Sequence, residues 1–89
     1  MKETEKALLE FPTVFPIKII GNNTGTFQKE AVDAIRSVLN RLDESAVKIE
    51  YSKNKKYISL TASVLVNSQG QLDSVYRALT SLKDAKFVL

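Results

Sequence analysis

Six segments of this chain carry a hydrophobic rhythm, and the rhythm changes from one to the next. From Val14 to Ile20 the period is two: Phe15, Ile17 and Ile19 fall on one side, Val14, Lys18 and Ile20 on the other, as a half-buried strand requires. Gly21-Asn22-Asn23-Thr24-Gly25 then punctuates the chain, because Gly and Asn tolerate positive φ in turns. From Phe27 to Leu42 the apolar residues Phe27, Ala31, Ile35, Val38 and Leu42 recur at helical spacing, which predicts an amphipathic helix. Val47, Ile49 and Tyr51 alternate with Lys48 and Glu50, and the polar stretch Ser52 to Lys56 separates them from a longer run, Tyr57 to Val66. Two strands joined by a polar turn read as a hairpin. In the longer strand Ile58, Leu60, Ala62, Val64 and Val66 make one wholly apolar side, and Tyr57, Ser59, Thr61, Ser63 and Leu65 make the other. Ser68 and Gln71 have the spacing of a capping box. Leu72, Val75, Tyr76, Leu79 and Leu82 form the apolar stripe of the helix that follows, and Ala85 to Leu89 reads as a short last strand.

The order is strand, helix, strand, strand, helix, strand, after a lead-in over residues 1–12. This is the ferredoxin-like βαββαβ arrangement of the α+β class, a single domain over residues 1–89. It predicts a four-stranded antiparallel sheet in the order 4-1-3-2 with both helices on one face. Lys18, Ile20, Lys48, Ser59, Thr61, Ser63 and Leu65 then stand on the face without helical cover, where Val14 and Val88 are candidates to join them. The first strand is central in this order, yet Pro16 lies within it and lacks the donor that a ladder needs. Regular pairing on at least one side is therefore expected to start near Ile17, with Val14 and Phe15 as an irregular approach. Pro12 stiffens that approach, and Leu8, Leu9 and Phe11 are expected to cover an end of the core.

Composition narrows the chemistry. The 89 residues contain neither cysteine nor histidine. The absence of cysteine excludes disulfides, thiolate metal sites, iron–sulfur clusters and a cysteine nucleophile. The absence of histidine removes the commonest general base and metal ligand. No apolar run approaches the ~20 residues that cross a bilayer, and Met1 to Glu10 is charged where a signal peptide would be apolar, so a cytoplasmic protein without a membrane partner is expected. The net charge of +3 is mild. No paired carboxylates stand out, which leaves no catalytic residues, no metal and no cofactor to name.

A fold of this kind hosts many functions, so each needs its own residues. Phosphate-cradling hydrolysis would place an arginine in the loop after the first strand, and Gly21 to Gln28 has none. RNA recognition on the sheet would need stacking aromatics on the central strands, where only Tyr57 is placed. Binding remains, by three routes. Gly21, Asn22, Asn23, Thr24 and Gly25 precede a helix whose free amides suit an anion or carboxylate, a candidate small-molecule ligand site. Lys48, Lys53, Lys55 and Lys56 form a basic cluster around the hairpin. Lys18, Ile20, Ser59, Thr61, Ser63 and Leu65 offer a mixed surface to a protein partner or a second copy of the chain.

Three segments, Leu8 to Gly21, Tyr51 to Val64 and Val75 to Leu89, resemble the YbeD-like family of small bacterial proteins of unassigned function. The most specific part is Glu10-Phe11-Pro12-Thr13 followed by Phe15, Lys18 and Gly21, with Phe87-Val88-Leu89 in support. The chain departs from the family at the hairpin, where Lys53-Asn54-Lys55-Lys56-Tyr57 stands in place of a Ser-Lys-Gly-Asn-Tyr type of turn. The resemblance implies a ferredoxin-like fold akin to the ACT regulatory domains of metabolic enzymes, and brings no catalytic residues. The expected function is a non-enzymatic regulatory or protein-interaction module. The alternative is a nucleic-acid binder using the lysine hairpin and the open face, which the mild charge and the missing aromatics disfavour.

Overall fold

The computed structural model describes residues 10–89, so Leu8 and Leu9 lie outside the described residues. Strand β1 (Thr13–Asn22) is followed by helix α1 (Phe27–Leu39), a 3-10 turn (Glu44–Ala46), β2 (Val47–Tyr51), β3 (Tyr57–Val66), α2 (Gln69–Thr80) and β4 (Ala85–Val88). The sheet has the order β2-β3-β1-β4 and every pairing is antiparallel. This is the expected βαββαβ topology.

Strict alternation in β3 sets the core. Ile58, Leu60, Ala62, Val64 and Val66 are buried together with Ile17 and Ile19 of β1, against Phe27, Ala31 and Ile35 of α1 and Leu72, Val75 and Leu79 of α2. Phe11 packs on the edge of this cluster, where the approach segment was expected to cover it. The cap of α2 forms as its spacing predicted: the Ser68 hydroxyl accepts from the Gln71 amide at 3.1 Å, while the Gln71 side chain reaches back to the Asn67 amide at 2.7 Å.

Helix α1 is shorter than its apolar stripe. It ends at Leu39 because Asn40 turns left-handed, with φ 63°, a conformation that stops a helix and that Asn tolerates. Leu42 therefore belongs to the following loop rather than to the helix. It is buried all the same, and Arg36 donates to its carbonyl at 2.8 Å.

Pro16 sits inside regular β1, and the expectation of an irregular approach holds on one side only. Pairing with β3 is continuous from Thr13↔Val66 to Asn22↔Tyr57, through Pro16↔Ser63. On the other side Lys18 exchanges both backbone bonds with Leu89, at 3.1 and 2.8 Å. Backbone groups alternate in direction along a strand, so the nitrogen of Pro16, two residues earlier, points to the β4 side as well. The pairing of β4 begins at Lys18 and does not reach Pro16. Among the described residues, the missing donor thus faces away from the only ladder that passes it.

Candidate functional site

Register places the outward side chains of the sheet in rows. Val14 lies opposite Leu65 and Pro16 opposite Ser63. The next row runs Lys48, Thr61, Lys18, and ends at Leu89, which pairs with Lys18 through the backbone. The row beyond it runs Glu50, Ser59, Ile20, Phe87, and Asn22 lies opposite Tyr57 at the far end. Lys18, Ile20, Ser59, Thr61, Ser63 and Leu65 are all brought together on this face, as their alternation predicted.

Two apolar side chains on it were not foreseen. Ile20 pairs with Phe87 and Gly21 with Ala85, so Lys86 is an extra residue in β4 and the register shifts there. A bulge of one residue reverses the alternation beyond it. Val88, expected as a candidate for the outward side, instead pairs with Ile19 and packs against the core. Phe87 and Leu89 take the outward positions. Among the described residues, four apolar side chains are thus more than half exposed on the uncovered face: Val14 at 63%, Leu65 at 60%, Phe87 at 62% and Leu89 at 63%. Tyr51, expected to alternate inward with Val47 and Ile49, is 52% exposed at the end of the edge strand β2.

The bulge and the loop after β1 are fitted to one another. A Cβ on Gly21 would stand 2.5 Å from Phe27 Cζ and 2.7 Å from the Asp84 carbonyl oxygen, so only glycine lets β4 turn in at this point. The candidate ligand loop is built mainly into the fold. Asn22 donates from its side chain to the Asp84 carboxylate at 3.1 Å, and Asn23 donates to the Lys55 carbonyl at 2.9 Å. Gly25 takes a positive φ of 91° in open space. At the start of α1 the Thr26 hydroxyl donates to Glu30 at 3.1 Å, which already sets a carboxylate beside the first turn. In the hairpin, Lys55 also adopts positive φ, and the Lys56 ammonium lies 5.5 Å from the centre of the Tyr57 ring.

Two titrating groups shifted by the fold stand away from the open face. The Ser45 amide, and then its hydroxyl, hold Asp43 below the usual carboxylate range. Partial burial pushes Tyr76 up. Among the described residues no cluster of Asp and Glu could hold a metal ion, and no helix is long and apolar enough to cross a membrane. The open face carries hydroxyls, ammonium groups, one carboxylate and exposed apolar groups.

The family model described as "Protein of unknown function (DUF493)" matches residues 6–89. The chain belongs to this family. Its relatives bear out the resemblance carried by the three segments. A UPF0250 protein of Paraburkholderia phytofirmans is 39% identical over the whole of both chains. One from Neisseria meningitidis is 38% identical, covering 99% of this chain and 97% of its own. One from Nitrosomonas europaea is 36% identical over 85% of this chain and 87% of its own. Among solved structures, that of protein HP0495 from H. pylori superposes with a TM-score of 0.79 over all of this chain and 93% of its own. At 14% identity that likeness concerns the fold alone.

Proposed function

We propose that this chain is a non-enzymatic interaction module of regulatory type, which docks a protein partner on the open face of its sheet. One observation carries the reading: Val14, Leu65, Phe87 and Leu89 stand more than half exposed on the side that no helix among the described residues covers. An antiparallel sheet with one wet face normally alternates to polar residues on that face. Here the apolar groups bracket a strip of Ser59, Thr61 and Ser63, short side chains that let another surface approach closely. Apolar anchors among small polar groups are the composition of a non-obligate interface. Lys18 and Lys48, in one row on either side of Thr61, favour a partner that brings carboxylates to the same strip.

Thr61→Arg tests the reading, since a long charge at the centre of the strip blocks close packing while its side chain points away from the core. Wild type and variant are compared by partner capture from bacterial lysate, with protein and RNA analysed separately. The expected result is a protein captured by wild type and lost with Thr61→Arg, at unchanged melting temperature. Equal capture by both forms contradicts the reading. Recovery of RNA that weakens with salt and with Lys53, Lys55 and Lys56 changed to Gln would replace it by nucleic-acid binding.

A further inference from the structure

Strand β2 is the outer edge of the sheet on the side opposite β4. Its ladder with β3 runs Val47↔Ala62 to Tyr51↔Ile58, and continues into the turn, where the Ser52 amide donates to the Tyr57 carbonyl at 3.0 Å. Ser52 therefore directs its backbone toward β3, and by alternation so do Glu50 and Lys48. The amides and carbonyls of Val47, Ile49 and Tyr51 point the other way, to an edge that no strand among the described residues occupies. The same three residues have side chains on the helical side of the sheet, whereas Lys48 and Glu50 stand on the open face. Among the described residues neither Lys48 nor Glu50 has an ion-pair partner.

We propose that β2 pairs antiparallel with β2 of a second copy, Ile49 against Ile49 on a two-fold axis, joining two four-stranded sheets edge to edge. This register is in phase with the free backbone: Val47, Ile49 and Tyr51 of each copy each donate once and accept once across the edge. It sets Lys48 of one copy directly opposite Glu50 of the other, twice, at positions where an antiparallel ladder brings side chains closest. On the helical side it sets Tyr51 against Val47 and Ile49 against its own copy, covering a tyrosine that is 52% exposed in the single chain. A groove of about 430 Å³ between α1 and β2, floored by Val32, Val47 and Ile49, opens along the same edge and meets its counterpart there.

Charge also selects the register. A slip by two residues keeps the backbone in phase but puts Lys48 against Lys48, or Glu50 against Glu50, and directly opposed like charges destabilise a sheet. Only the arrangement centred on Ile49 turns both charges into attractions. Lone charged residues on an edge strand usually deter pairing. The pair Lys48 and Glu50, one residue apart on either side of Ile49, deters it with other chains and favours it with itself.

The shared strand is short, so association between micromolar and millimolar protein is expected, in the manner of a small interface. Light scattering over that range is combined with amide exchange followed by NMR. The expected result is a dimer in which the Val47, Ile49 and Tyr51 amides become protected as concentration rises. Lys48→Glu alone and Glu50→Lys alone should each weaken the dimer roughly tenfold or more, since both symmetric pairs turn repulsive. An equimolar mixture of the two variants should associate again, because each charge then finds its opposite across the edge. Thr61→Arg, which tests docking on the open face, should leave this dimer intact. A protein that stays monomeric throughout overturns the proposal. So does a dimer that leaves the three amides unprotected, one that neither single variant weakens, or a mixture of the variants that fails to pair.

Discussion

The two faces of the sheet are made by the same strands and differ only in the parity of the residue. In β3 the even positions Ile58, Leu60, Ala62, Val64 and Val66 are buried and wholly apolar. The odd positions Tyr57, Ser59, Thr61, Ser63 and Leu65 alternate with them and carry mainly hydroxyls. The covered face is committed to the fold: its buried side chains form one cluster with those of α1 and α2. Residues of the open face make no contribution to that core, yet Val14, Leu65, Phe87 and Leu89 keep apolar area in water. The difference teaches where to look for function. Apolar residues on the covered side are explained by folding, and those on the open side are not.

The contrast can be broken most strongly at adjacent layers of one strand. Leu60→Ala should cost ~2–5 kcal/mol, because it leaves a cavity between the sheet and the helices, whereas Leu65→Thr should change stability by less than ~0.5 kcal/mol, as an exposed substitution by a β-branched residue that suits a strand. Chemical denaturation of both variants checks this, and equal losses would erase the distinction between the faces. A smaller effect is expected from Gly21→Ala, roughly 1–3 kcal/mol. Its methyl group meets the Phe27 ring and the backbone of Asp84 at distances that force the β4 bulge to move. Amide shifts in Phe87 and Val88 would report that movement, and a variant as stable as wild type would show that the bulge does not depend on the close approach. The smallest change in stability belongs to Phe87→Ser, within ~0.5 kcal/mol by melting. Its expected effect is on partner capture, which should fall as it does with Thr61→Arg. Retained capture would remove Phe87 from the docking surface.

What was legible in the sequence follows from how local each signal is. The alternation in β3, the capping box at Ser68 and Gln71, and the order of the elements depend on near neighbours, and they led to the sheet order as well as to the gathering of Lys18, Ile20, Ser59, Thr61, Ser63 and Leu65 on one face. Pro16 was half legible: its missing donor announced a break in pairing, but which ladder is broken depends on where β4 starts. The end of α1 was hidden, because Leu42 continues the apolar stripe and is buried, while the left-handed turn at Asn40 interrupts the helix beneath it. The outward turn of Phe87 and Leu89 was also hidden. It rests on the extra residue Lys86, and thus on the approach of β4 to Gly21, a contact between segments far apart in the chain. In the loop Gly21 to Gly25 the Asn side chains bond Asp84 and Lys55, partners far along the chain that the local pattern does not reveal.

Site-specific photo-crosslinking in living bacteria probes the open face where the partner is expected to dock. A photoreactive residue is placed either at Ser63, outward on β3, or at Asp73, exposed on α2. A discrete crosslinked protein is expected from position 63, lost when Thr61→Arg is added, and none from position 73. The same product from both positions, or a product from position 73 alone, would contradict a docking surface on the open face.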